Sequence, residues 1–163
     1  MKSKEKILQK IKSRGDFIDF VEKQKAEGKK IVFTNGCFDI VHPGHVHYLM
    51  DAAMLGDVLV IAVNTDQSVQ KLKGLTRPII PEEERCLHLA SFEFVDAVTL
   101  FDEETPENLI RSVKPDVLVK GNDYTIEQIA GANFVLDAGG QVITLPLVEG
   151  YSTTKLIEKL KEK

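Results

Sequence analysis

Short apolar runs rich in β-branched residues recur along this chain at Ile31–Thr34, Val58–Val63, Ala97–Leu100, Val117–Val119 and Val142–Leu145. Uninterrupted runs of this length suit strands buried on both faces of a parallel sheet. Segments with helical signals lie between them: Pro43 to about Leu55, a short stretch near Gln67–Leu72, another near Glu82–Phe92, one after Thr105-Pro106 and one after Thr125. Pro43 fits a first helical position, having no N–H to waste, and Gly56 fits the residue past the end. Thr105 before Pro106 reads as an N-cap followed by Pro, and Thr125 with Gln128 has the spacing of a capping box. Alternating strands and helices predict a three-layer α/β fold with right-handed crossovers around a five-stranded parallel sheet. Such sheets bind ligands beyond the carboxyl ends of their strands. Asn35–Asp39, Asn64–Asp66, Lys120–Tyr124 and Leu145–Ser152 all follow strands at that edge.

The first 28 residues break this rhythm. Ile7, Leu8 and Ile11 have helical spacing, Gly15-Asp16 interrupts it, and Phe17, Ile18, Phe20 and Val21 resume it up to Gly28. This reads as a helical N-terminal extension, residues 1–28, packed on the main domain (residues 29–163) or on a second subunit. No internal repeat or low-complexity segment is visible.

Composition narrows the class. With 163 residues the chain has the size of one ordinary domain, and 43% hydrophobic with 28% charged residues is typical of a soluble globular protein. A net charge of −4 argues against a general nucleic-acid binder, which needs a basic face. Two cysteines are too few for a disulfide framework. No signal-like segment opens the chain and no run approaches about 18 apolar residues, so a cytoplasmic protein without a membrane span is expected.

The candidate chemistry concentrates in Gly36-Cys37-Phe38-Asp39-Ile40-Val41-His42-Pro43-Gly44-His45. A helix start aims unpaired N–H groups and partial positive charge at whatever lies before it. His42 and His45, three apart, both lie over the first turn, while Gly36 and Gly44 keep side chains out of the approach. The site suits a polyphosphate. Zinc is a weaker reading, because no C-x-x-C, H-E-x-x-H or further His/Cys cluster accompanies Cys37. Lys71 and Lys73 beside Gly74 suit β- and γ-phosphates as mobile point charges, though they also fit a solvated charged loop.

These residues resemble the H-x-G-H motif of the nucleotidyltransferase superfamily, in the longer G-x-F-D-x-x-H-x-G-H form of its cytidylyltransferase-like branch. From about Lys29 to Leu160 the chain resembles the adenylyltransferase half of the bifunctional heptose enzymes. The matching pieces are Thr34–Asp39, Ala62–Asp66, Leu72–Gly74 with Arg77-Pro78, Val119–Tyr124 and Ser152-Thr153-Thr154. The resemblance implies a Rossmann-like fold and an enzyme that transfers AMP from ATP to D-glycero-D-manno-heptose 1-phosphate for lipopolysaccharide synthesis. It implies that His42, His45 and Lys73 are catalytic. Nucleotide would be held by Asn35, Gly36, Cys37, Phe38, Gly44, Lys120, Asn122, Asp123, Ser152, Thr153 and Thr154. Asp39, Asp66 and Arg85 would face the acceptor, with Arg77 undecided. No resident metal is expected beyond Mg²⁺ accompanying ATP, and a homodimer is the expected assembly. The sugar-kinase half of the bifunctional enzymes is not in this sequence, so only the nucleotidyl step is expected of it.

Three other readings compete, the least favoured being a purely structural α/β module, against which the polar motifs clustered at strand ends argue. A cytidylyltransferase acting on glycerol 3-phosphate would carry an R-T-x-G-I-S-T-T segment, where this chain has Leu147 and Val148 in place of the arginine and threonine. A non-catalytic nucleotide-binding protein would have no need to keep both histidines, Lys73 and the Ser-Thr-Thr segment together.

Overall fold

A computed structural model describes residues 3–147 and 150–161. Five strands, β1 (Ile31–Gly36), β2 (Val58–Asn64), β3 (Ala97–Phe101), β4 (Val117–Gly121) and β5 (Gln141–Leu145), form one sheet in the order β3-β2-β1-β4-β5. Every pairing is parallel. The expected five-stranded parallel sheet is therefore present: β1 to β4 run one or two residues past the apolar runs that mark them, and β5 begins one residue before its run.

Eight α-helices accompany it among the described residues: α1 (Ser3–Lys10), α2 (Arg14–Ala26), α3 (Pro43–Ala53), α4 (Asp66–Lys73), α5 (Glu82–Ala90), α6 (Glu107–Val113), α7 (Ala132–Asp137) and α8 (Thr153–Lys161). Successive side chains of a strand point to opposite faces, and this alternation divides the core in two. Ile31 and Phe33 of β1 pack with Phe17 of α2, Leu109 and Ile110 of α6 and Val135 of α7. Val32 joins Leu49 and Ala52 of α3 and Cys86 and Leu89 of α5 on the other side. Burial on both faces accounts for the continuous apolar runs. No helix among the described residues is long and apolar enough to cross a membrane.

The N-terminal helices wrap the β3 edge of the sheet. Phe17 and Val21 of α2 are fully buried on one face, while Ile7 and Ile11 pack against the cluster on the other. Between the two helices, the Lys12 N–H donates to the Val98 carbonyl at 2.9 Å and the Thr99 hydroxyl donates to the Lys12 carbonyl at 3.0 Å. The segment thus satisfies part of an edge that would otherwise present unpaired backbone groups.

Three local expectations are corrected. Helix α3 stops at Ala53, and Gly56 serves close packing instead of a cap: a Cβ there would lie 2.7 Å from Val32 Cγ2 and 2.8 Å from the Lys30 carbonyl oxygen. Pro106, not Thr105, is the N-cap of α6. Beyond Thr125 the chain forms only a single 3₁₀ turn, Ile126–Gln128, before α7. There the Thr125 N–H does donate to Gln128 Oε1 at 3.0 Å.

Candidate active site

The strand order reverses between β1 and β4, and a crevice opens there beyond the carboxyl ends of the strands. A cavity of about 340 Å³ fills it. One wall is the β1–α3 connection with the first turn of α3, another the end of β4 with the residues after it, and a third Leu147 together with Tyr151, Ser152 and the start of α8. Lys73, the last residue of α4, also reaches the lining.

His42 is the N-cap of α3, and its Nδ1 accepts the His45 N–H at 3.4 Å. That bond leaves the proton of a neutral ring on Nε2. The rings of His42 and His45 stack with centroids 3.8 Å apart and planes 19° apart, and Tyr151 lies 6.0 Å beyond His42, again nearly parallel. Phe38 meets the His45 ring edge-on at 5.4 Å. Phe38 adopts φ +47°, an uncommon left-handed backbone that folds its ring back against Gly36. A Cβ on Gly44 would fall 3.0 Å from the His42 ring and 3.1 Å from Tyr151 Cβ, so any larger residue would press on this stack.

Burial, then the neighbouring His42 and Lys73, pushes His45 down to about 4, and burial also lowers His42. Both rings are neutral N–H donors near pH 7. His45 Nδ1 is buried without a hydrogen-bond partner, one of only two such side-chain atoms among the described residues. Orphaned buried polar atoms call for a functional explanation.

On the β4 side, Lys120 Nζ donates to the Asn35 carbonyl at 3.1 Å and lies 5.3 Å from the Tyr124 ring centroid. Burial lowers its pKa to about 8, opposed by Cys37 and Asp123. The Asn122 N–H donates to the Leu145 carbonyl at 2.9 Å and Asn122 Oδ1 accepts the Leu147 N–H at 3.4 Å, clamping the two loops together. At the third wall the Thr153 hydroxyl donates to the Ile40 carbonyl at 3.4 Å, tying the start of α8 to the histidine loop.

Of the residues singled out in the sequence, Asn35, Gly36, Cys37, Phe38, Asp39, His42, Gly44, His45, Lys73, Lys120, Asp123, Ser152, Thr153 and Thr154 line the cavity. Three do not. Asn122 is the loop clamp just described. Asp66 accepts from Arg85 Nη2 at 2.8 Å, and its N–H donates to Glu82 Oε2 at 2.6 Å. Arg85 is fully buried, with Nε on the Ile80 carbonyl and Nη1 on the Cys37 carbonyl, so its donors are engaged within the fold and it does not line the cavity. Asp39 lines the wall but its carboxylate is occupied, accepting from Arg77 Nε at 2.6 Å and from the N–H groups of Ile79 and Ile80. Arg77 thereby stands behind the wall, and its Nη2 is the second orphaned atom. Lys71 is exposed and absent from the lining.

Gly121 and Tyr124, within Lys120–Tyr124, Leu147 and Tyr151, within Leu145–Ser152, and Tyr48 also line the cavity, with no individual site role expected for them from the sequence. Tyr48 reads as core by its helical spacing, and it is largely core, with its hydroxyl 2.8 Å from Thr34 Oγ1. Leu147 stands where a glycerol-phosphate enzyme would have arginine; Val148, its companion in that comparison, lies outside the described residues, as does the Leu156 side chain of α8.

Comparison with known proteins identifies the family. Residues 33–159 match the sequence profile described as cytidylyltransferase-like. The chain is 50% identical over 153 residues to the bifunctional protein HldE of Alcanivorax borkumensis, covering 94% of this chain and 32% of that protein. It is 54% identical over 141 residues to HldE of Gluconobacter oxydans, covering 86% and 29%. The chain thus spans about a third of the length of the curated relatives it matches. Among solved structures, the lipopolysaccharide core biosynthesis protein of Thermoplasma volcanium superposes with TM-score 0.60 at 30% identity, over 77% of this chain and all of that one.

Proposed function

The chain belongs to the cytidylyltransferase-like family of nucleotidyltransferases, and from that premise we propose that it transfers AMP from ATP to D-glycero-D-manno-heptose 1-phosphate. The products are ADP-heptose and pyrophosphate, and the pathway is lipopolysaccharide core synthesis. One observation carries the reading: two stacked neutral histidines, Lys73 and the Ser152–Thr154 segment line a single cavity at the switch point of the sheet. The names of the relatives, HldE and a lipopolysaccharide core biosynthesis protein, support the choice of acceptor.

In this reaction an acceptor phosphate oxygen forms a bond to the α-phosphorus of ATP while the bond from that phosphorus to the bridging oxygen breaks. A phosphate monoester is already anionic near neutral pH, so it needs no strong general base. Positioning and charge stabilisation are what the protein contributes. His42 donates through Nε2–H, because its Nδ1 is held by the His45 amide. His45 donates as a neutral imidazole until phosphate charge raises its proton affinity. Lys73 holds the departing pyrophosphate as a point charge, and Lys120 and Asp123 face the nucleoside.

Magnesium fits this site as a companion of ATP. Among the described residues no group of three His, Cys, Asp or Glu side chains could cage a metal, and Asp39 is occupied by three donors. Mg²⁺ is commonly held by substrate phosphates and water with one or two carboxylates, a role open to Asp123. Bound there it would neutralise phosphate charge.

A pyrophosphate-release screen of ATP, CTP, GTP and UTP against sugar and polyol phosphates tests the assignment. Release is expected with ATP and heptose 1-phosphate in the presence of a divalent ion. A higher kcat/KM with CTP and glycerol 3-phosphate would overturn the substrates and leave the family intact.

A further inference from the structure

We propose that Arg85 is a positioning residue that sets the spacing between the histidine pair and Lys73 while touching no ligand. The inference rests on the reading of those three side chains as the phosphate-binding groups. Arg85 is fully buried in a chain whose buried residues are overwhelmingly apolar. Its guanidinium spends a donor on each of three segments: Nε on the Ile80 carbonyl at 2.9 Å, Nη1 on the Cys37 carbonyl at 2.6 Å, and Nη2 on Asp66 Oδ1, at the start of α4, at 2.8 Å.

Each acceptor leads to the site by a short covalent path. Cys37 precedes Phe38, whose ring rests edge-on against His45. Asp39 follows, and it receives the N–H groups of Ile79 and Ile80 together with Arg77 Nε. Ile80 is therefore bonded to both Asp39 and Arg85, closing a ring of contacts behind the cavity wall. Asp66 is the first residue of α4, and the last residue of that helix is Lys73. One rigid planar fork thus joins the loop that carries the histidines to the helix that carries the lysine.

The chemistry of the residue fits this task. Arginine presents its donors in a fixed plane and stays charged, so its three bonds hold mutual angles as well as distances. Lysine would bring the same charge on a flexible stem with a single nitrogen, unable to reach three separated acceptors in that geometry. A misplacement of about 1 Å remote from the chemistry can cost about 10²-fold in rate.

The test uses Arg85→Lys, Asp66→Ala and the double variant, with kcat and KM for both substrates, ATP affinity by calorimetry, and the imidazole NMR resonances of His45. Arg85→Lys is expected to lower kcat about 10²-fold while ATP affinity changes less than about threefold, the pattern of lost alignment. Asp66→Ala should lower kcat in the same direction, and the double variant should be no worse than Arg85→Lys, since both break one linkage. The His45 resonances should move in Arg85→Lys without any ligand present. Near-wild-type kcat in Arg85→Lys overturns the proposal, as does a raised acceptor KM at unchanged kcat, which would mark a ligand contact. If Arg85→Lys does not fold, Asp66→Ala decides by the same two readouts. If the wild-type protein turns over no substrate pair, the functional reading fails, and unmoved His45 resonances would then separately overturn the positioning role.

Discussion

The cations in front of the cavity wall and those behind it behave as two different materials. Lys73 and Lys120 line the cavity. Arg77 and Arg85 stand behind it, paired with Asp39 and Asp66. All four lie in or beside the segments that carry the family resemblance, and all carry the same charge. What separates them is the partner: a single carbonyl and an aromatic ring for Lys120, a carboxylate for each arginine. A cation poised for a ligand must keep its donors available, whereas a buried one persists only when paired and hydrogen-bonded. The front should therefore answer to mutation in rate and affinity, and the back in stability and alignment.

The strongest challenge to this division is Asp39→Ala. Asp39 is 2% exposed and accepts three bonds, and its removal leaves the Arg77 charge without a partner. Breaking a buried pair from one side costs about 3–5 kcal/mol, which in a domain of this size lowers Tm by on the order of 10 °C. Thermal unfolding checks it. A Tm within about 2 °C of wild type would move Asp39 to the front of the wall and return it to the acceptor site.

The histidines should show the opposite signature. His42→Ala and His45→Ala are each expected to lower kcat by about 10²–10³-fold, the loss typical of one donor to a developing charge, while ATP binding weakens less. Single-turnover rates at saturating ATP read this directly, and unchanged rates in both would leave the stacked rings without a catalytic role. A pH dependence follows as well. The His45 pKa is depressed on folding, from about 6.5 to about 4, so between those values the unfolded chain binds the extra proton. Stability attributable to this ring is fully present above pH 6.5 and falls as pH drops toward 4. Denaturant midpoints of His45→Ala should depend less steeply on pH across that window than those of the wild type.

The same contrast explains what was legible in the sequence. Strands announced themselves because burial on both faces demands continuous apolar runs, and Ile31–Thr34 and Val58–Val63 carry nothing else. The histidine turn was legible because Pro43, Gly44 and the spacing of His42 and His45 fix a local geometry that needs no distant partner. The contacts of Arg85 and Asn122 were not legible for the converse reason. They depend on partners far along the chain, the Cys37 carbonyl 48 residues from Arg85 and the Leu147 N–H 25 residues from Asn122, and no local pattern encodes such pairings. Gly56 and Pro106 show the same limit at smaller scale, since close approach to Lys30 and the choice of cap are settled by tertiary packing.

The smallest effect sharpens the boundary between front and back, because Thr153 and Thr154 are adjacent and belong to different sides of it. Both line the cavity, but the Thr153 hydroxyl is engaged with the Ile40 carbonyl, at 3.4 Å, and so helps hold α8 against the histidine loop. Thr154 is exposed at the start of α8, where a hydroxyl and the helix N-terminus can meet a phosphate oxygen together. Replacing either hydroxyl by a methyl group removes about 0.5–1.5 kcal/mol of hydrogen bonding. For Thr154→Val this should appear as an ATP KM raised about 2- to 10-fold at unchanged Tm. For Thr153→Val the 3.4 Å bond is long and the loss falls at the small end, divided between a slight drop in Tm and a slight rise in KM. Steady-state kinetics and thermal unfolding on the two variants separate them. Equal KM values for wild type and Thr154→Val would remove the α8 terminus from the phosphate site, leaving Thr153 as the anchor of a segment whose work is structural.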